Sequence, residues 1–219
     1  MPRYFSNRRN LTIRMRILLT GFEPFGKVKI NPSEQIVDSI AMRDRNLRGA
    51  DLVTDILPTE FRAAGNKIRR LIRSVHPSAV VCLGVAASRN AISLERVALN
   101  LDDEASPDNA GTVRIGWPIA RHAPAAYWST LPIEHMCAAL GKRGIPVNIS
   151  NHAGTYVCNH VFYVARHELE IMGRRTPCGL IHVPGVRKRG NSSKGPALAL
   201  GEMVTAVESC LEILRKRKV

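Results

Sequence analysis

The sequence predicts an α/β fold: a three-layer α/β/α sandwich, a single domain on a mostly parallel, twisted sheet. Three observations carry the prediction. Short apolar runs closed by Gly or Pro alternate along the chain with longer segments of helical period. The 219 residues hold no internal repeat and no linker rich in Pro or Ser. Apolar residues make up 45% and charged residues 23%, enough to bury a core without staples.

The elements follow in order. MRILLTG (15–21) reads as a buried strand stopped by Gly21. After the loop FEPFGKVKINPS, Ser33 is expected to cap the helix SEQIVDSIAMRDRN. DLVTDILP (51–58) is a second strand, ended by Pro58, and a helical period runs over 60–75. SAVVCLG (78–84) is a third buried strand, and ISLERVALNLDD (92–103) alternates like a strand throughout. SPDNAG is a turn, and TVRIGWPIARHAPAAYWSTLP reads as irregular or extended. PIEHMCAALGKRG is a short helix ending at Gly144, VNIS (147–150) a strand, and a helix carrying Cys158 runs to about Met172. CGLIHVP (178–184) is the last strand, PGVRKRGNSSKGP (184–196) an exposed loop, and KGPALALGEMVTAVESCLEILRKRK a long helix ending in cations that suit its negative pole.

The formal charge is +14, much of it in blocks at the two ends and at Arg187 to Arg189. Basic runs can hold nucleic acid, but no aromatic residue is interleaved with them, so they read as solvated ends and nucleic acid is not expected as a partner. Residues 1–14 are read as a basic extension outside the domain that spans 15–219, a loose arm or transit segment, with Met15 a candidate start. No apolar stretch reaches membrane-spanning length. Five cysteines at irregular spacing, with no C-x-x-C, exclude a disulfide framework or zinc ribbon and suit reduced thiols in the cytoplasm.

The chemistry gathers at AGTYVCNH (153–160). In an open α/β sheet, sites lie at the carboxyl ends of strands. Cys158 stands just past such a strand, at a helix N-terminus whose free N–H groups favour a thiolate and an oxyanion, so its pKa is expected to be lowered. A buried filler cysteine is the other reading. Cys82, Cys137, Cys178 and Cys210 sit inside strand or helix patterns. His182, near the end of GLIHVP, is aimed at the same rim; His152 is the runner-up base. His160 should point away, and His76, His122, His135 and His167 read as surface residues. Glu95, in an apolar strand, needs a partner: an imidazole, or Arg96 or Arg89. The histidine spacing matches no metal site.

Several stretches in order, LLTGFEPFG with NPS, ISLERVALN, PDNAG, AAYWSTLP, AGTYVCNH and GLIHVP, resemble those of the type I pyroglutamyl peptidases, the pyrrolidone carboxyl peptidases. The resemblance covers the chain from about Met15 to the final helix. It implies a cysteine exopeptidase that cuts after an N-terminal pyroglutamyl residue, needs no metal or organic cofactor, and works as a homo-oligomer, a dimer or tetramer. It implies Cys158 as nucleophile, His182 as base and Glu95 as orienting carboxylate. Phe22 and Phe25 would line the pyroglutamyl pocket, with Arg89, Tyr156 and Val157 beside them. The chain departs from the pattern in three places: Lys27 follows PFG, GVAASR (84–89) replaces GLAGGR, and Ala105 and Ser106 stand where an active-site arginine and an isoleucine are expected. Two alternatives follow from these departures and from the charge: the same fold with a shifted N-acyl or lactam substrate, and a catalytically weak basic binding protein.

Overall fold

A computed structural model describes residues 15–26, 29–43, 46–47, 49–187 and 197–216. The extension 1–14, Lys27 and most of the 184–196 loop lie outside them. The strands are β1 (Met15–Phe22), β2 (Asn46–Leu47), β3 (Ala50–Leu57), β4 (Ala79–Val85), β5 (Ile92–Leu99), β6 (Asp102–Glu104), β7 (Arg114–Trp117), β8 (Ala126–Trp128), β9 (Val147–His152), β10 (Cys178–Val183), β11 (Gly185–Val186) and β12 (Ala197–Leu198). The helices are α1 (Pro32–Arg43), α2 (Phe61–Val75), α3 (Ile133–Lys142), α4 (Val157–Ile171) and α5 (Leu200–Lys216).

The main sheet runs β2-β3-β1-β4-β10-β5-β8, with β9 also paired to β5. The neighbours β3, β1, β4 and β10 are parallel. The strand β5 turns against β10 and β8 but runs parallel to β9. Helices cover both faces, which is why β1, β4 and β10 are apolar almost throughout rather than alternating. On one side Ile36, Met136 and Val207 of α1, α3 and α5 pack with Ile17, Val81 and Ile181. On the other, Phe61 and Ile68 of α2 and Val161 of α4 pack with Leu18, Val80 and Leu180. The chain is thus the three-layer sandwich that the alternation of elements implied.

Some local expectations are corrected. The cap of α1 is Asn31, not Ser33: its side-chain oxygen accepts the Ser33 N–H at 3.0 Å, with Pro32 as the first helical residue. Ser33 is buried and instead accepts the Phe22 N–H at 3.0 Å, stitching α1 to the end of β1. The single strand expected over 92–103 is broken after Leu99. The stretch read as irregular or extended holds two short strands, β7 and β8. The last helix starts at Leu200, after the β11–β12 pair.

Candidate active site

Three elements converge at the carboxyl ends of β4 and β10. In the parallel pairing of these strands, Gly84 lies beside His182. On the far side of β10, His182 faces Ser93 of antiparallel β5, which sets Glu95 one diagonal step away on the same sheet face. His182 Nδ1 and Glu95 Oε1 are 2.7 Å apart. With the Nδ1 proton held by the carboxylate, the ring presents Nε2 as a proton acceptor.

The third element is α4. Gly154, at φ +79, turns the chain out of β9, and Tyr156 starts the helix without any side-chain cap. Cys158 is therefore in the uncapped first turn. Its Sγ lies 2.8 Å from the point where a Cβ on Gly84 would stand, and His182 Nε2 lies 2.9 Å from that point. The bare strand at Gly84 makes room for the sulfur and the ring side by side. The flanking residues of the motif lock α4 in this pose. Asn159 accepts the Leu99 N–H at 2.8 Å and donates to the Leu99 and Leu101 carbonyls, both at 3.0 Å. His160 turns away from the sulfur and bonds Asp102 at 2.9 Å.

Burial, with the nearby Cys82 and Glu95 charges as smaller contributions, pushes the Cys158 thiol up to about 12. Backbone hydrogen bonds from Cys158 itself and Val85 pull the other way and lose. The expected lowering by the helix terminus is thus overturned, because desolvation of the sulfur outweighs a partial charge. A raised pKa disfavours a standing thiolate and favours activation of the sulfur by proton transfer to a neighbouring base.

Glu95 has no exposed surface. Burial alone would raise its pKa, but the hydrogen bond and charge of His182, then Ser150 and Arg89, together hold it below the ordinary 4.5. The sequence offered an imidazole or an arginine as its partner; the structure supplies both, on the same oxygen. A depressed carboxylate stabilises the fold in its ionised form. That contribution is full above pH 4.5 and is lost as pH falls through the lower folded value. The stability difference between the parent and Glu95→Gln, read by chemical denaturation, should therefore be constant near neutrality and shrink in acid. A difference that grows in acid contradicts an ionised Glu95.

A cavity of about 410 Å³ opens over the sulfur. Phe22, Phe25 and Tyr156 give it apolar walls, and Asn31, Thr59 and Arg89 add polar groups. The PDNAG turn braces these walls. Asp108 caps α2 from a distance by accepting the Phe61 N–H at 3.0 Å, and Asn109 donates to the Pro24 carbonyl at 2.9 Å. Tyr156 is fixed by donating its hydroxyl to the Pro107 carbonyl at 3.0 Å.

Of the residues singled out in the sequence, Cys158, His182, Glu95, Arg89, Phe22, Phe25 and Tyr156 meet around this cavity. Val157 does not: it is fully buried in the apolar layer below, because its position on α4 turns it toward the sheet. His152 is exposed, and its Nδ1 accepts the Gly154 N–H at 3.2 Å. His167 is no free surface residue, since its Nδ1 bonds the Tyr127 hydroxyl at 2.8 Å. Ala105 is exposed and contributes nothing to the cavity, whereas its neighbour Glu104 does. Gly84, Asn31 and Asn159 were missed as site residues. A glycine inside an apolar strand was the available signal for the first. Among the described residues no cluster of His, Cys, Asp and Glu could hold a metal ion.

A family model described as pyroglutamyl peptidase matches residues 15–217. The pyrrolidone-carboxylate peptidase of Gloeobacter violaceus is 42% identical, over 93% of this chain and 98% of that protein. The enzyme of the same name from Oceanobacillus iheyensis is 40% identical, over 91% and 98%. Among solved structures, a mutant pyrrolidone carboxyl peptidase of Pyrococcus furiosus superposes with a TM-score of 0.87 at 35% identity, covering 94% of this chain and all of that one. Pyroglutamyl peptidase I of Bacillus amyloliquefaciens gives 0.85 at 33%, covering 94% and 97%.

Proposed function

The chain belongs to the pyroglutamyl peptidase family, cysteine peptidases that remove N-terminal pyroglutamate, and from that premise we propose that Cys158 is its nucleophile, His182 its base and Glu95 the carboxylate that orients the base. One observation carries the assignment: Sγ and Nε2 crowd the same point above Gly84, while Nδ1 is held by Glu95. Substrate binding brings the pyroglutamyl carbonyl over the sulfur. The thiol proton passes to His182 Nε2 as sulfur attacks, so the high resting pKa is met by transfer rather than by a standing thiolate. The oxyanion forms beside the uncapped first turn of α4. His182 then protonates the departing amine, and a thioester is left on Cys158. Water, deprotonated by His182, releases pyroglutamate.

The cavity suits the substrate's neutral lactam. The aromatic walls of Phe22, Phe25 and Tyr156 accept its ring. A free amino terminus would carry a charge against the aromatic walls, at a desolvation cost that the neutral lactam avoids. Truncating Phe25 to Ala should raise KM for a pyroglutamyl amide about tenfold and change kcat little. The test of the assignment is a panel of chromogenic amides. Pyroglutamyl amide should be turned over, and prolyl and N-acetylglutamyl amides should not; the reverse order would overturn the substrate assignment.

We also infer self-association. The β6–β7 hairpin exposes Val113, Ile115 and Trp117, the last at 59%. Three apolar side chains on one projection are more than a monomer usually leaves in water. Light scattering should report a dimer or tetramer, and Trp117→Lys a smaller species; a monomeric parent would contradict this. Five free cysteines support a reducing, cytoplasmic setting. No helix among the described residues is long and apolar enough to cross a membrane.

A further inference from the structure

Glu95 is buried in an unequal way. Its Oε1 takes both His182 and Arg89. Its Oε2 is equally shut off from solvent and has no hydrogen-bond partner. An ionised carboxylate oxygen left bare inside a protein is costly, and it is also free to swing. A carboxylate that must hold an imidazole in one orientation needs its second oxygen held too.

The sheet supplies a donor. In the parallel pairing of β5 and β9, Ser150 is the residue directly beside Glu95. In-register neighbours on adjacent strands share a face at about 4.8 Å, close enough for a hydroxyl to reach a carboxylate. Ser150 Oγ makes a long 3.3 Å bond to the His152 carbonyl, two residues along its own strand, and already stands near enough to Glu95 to help hold its pKa down. A turn about its χ1 exchanges that weak bond for a charge-assisted one.

We propose that Ser150 is a positioning residue for the reaction, its hydroxyl donating to Glu95 Oε2 and fixing the carboxylate against His182. Ser150 does not touch the substrate; it acts through Glu95, Glu95 through His182, and His182 on the Cys158 proton. This rests on the assignment of those three residues above. Ser93 carries a buried hydroxyl without a partner near the site. It lies opposite His182 and two residues from Glu95 along the same strand, about 7 Å away, so it is the weaker candidate.

The test is a double-mutant cycle on the full chain with a pyroglutamyl amide. Ser150→Ala should lower kcat about tenfold with KM within about twofold, and Ser150→Thr, which keeps the hydroxyl, should restore most of it. In the Glu95→Gln background, Ser150→Ala should add less than about twofold, because the hydroxyl has lost the charge it serves. Ser93→Ala should stay within about twofold of the parent. Alkylation of Cys158 by iodoacetamide, followed by mass spectrometry, reads the same coupling in proteins with little turnover. Ser150→Ala indistinguishable from the parent, or an equal loss in the Glu95→Gln background, would overturn the proposal. So would a loss in Ser93→Ala and none in Ser150→Ala. A parent inert on pyroglutamyl amide that still shows the coupling by alkylation would sink the substrate assignment and support this one.

Discussion

The Cys158→Ser protein should bind a pyroglutamyl amide with nearly the parental affinity and turn it over at least about a thousandfold more slowly. The substitution exchanges sulfur for a smaller oxygen and leaves α4 anchored by Asn159 and His160, so fold and cavity should persist. What goes is the nucleophile. A serine hydroxyl is far less acidic than a thiol and would need a stronger base than one imidazole tuned for sulfur. No other cysteine can stand in. Cys82, Cys178 and Cys210 are buried, and Cys137 packs with the opposite layer of helices. Rates are read by chromophore release and integrity by thermal melting. Parental turnover in this variant would remove Cys158 from the reaction.

Gly84→Ala should cost about a hundredfold in kcat while leaving the protein folded. A Cβ there would stand 2.8 Å from Cys158 Sγ, 2.8 Å from His182 Cδ2 and 2.9 Å from Nε2, closer than such contacts allow. The atoms it meets are the ends of two side chains, so they, not the strand, must give way. Either the ring rotates and strains its 2.7 Å bond to Glu95, or the sulfur swings off. Each outcome separates acid from base by the distance that transfer requires them to keep. Melting temperature should move far less than kcat. A variant with full activity would mean that sulfur and imidazole do not work as neighbours at this point.

Much of the fold was legible because burial on both faces writes itself as unbroken apolar runs, as in SAVVCLG and CGLIHVP. What failed was decided by partners far along the chain. The break after Leu99 exists because the Asn159 side chain takes the hydrogen bonds a continuing strand would need, and no local pattern marks that. Edge strands as short as β7 and β8 have too few residues for alternation to show. The helix cap moved from Ser33 to Asn31 because burial gave the serine to the Phe22 N–H.

At the site, the rim could be foreseen from strand ends, but register could not. Only the antiparallel placement of β5 on β10 reveals that Glu95 reaches His182 and still keeps Arg89. Nor could the thiol's environment be read locally. A helix start argued for a lowered pKa, while desolvation of the sulfur raised it. Val157 looked like a wall residue from its place beside the nucleophile, yet helical geometry points successive residues about 100° apart, and it fell to the core.

Acid-quenched turnover of a pyroglutamyl ester, followed by peptide mass spectrometry, tests the central claim most directly. A pyroglutamyl adduct on the peptide that carries Cys158, absent from Cys158→Ser and cleared on incubation at neutral pH, is the predicted result. Steady turnover with no adduct on that peptide, or with an adduct on a different cysteine, would contradict it.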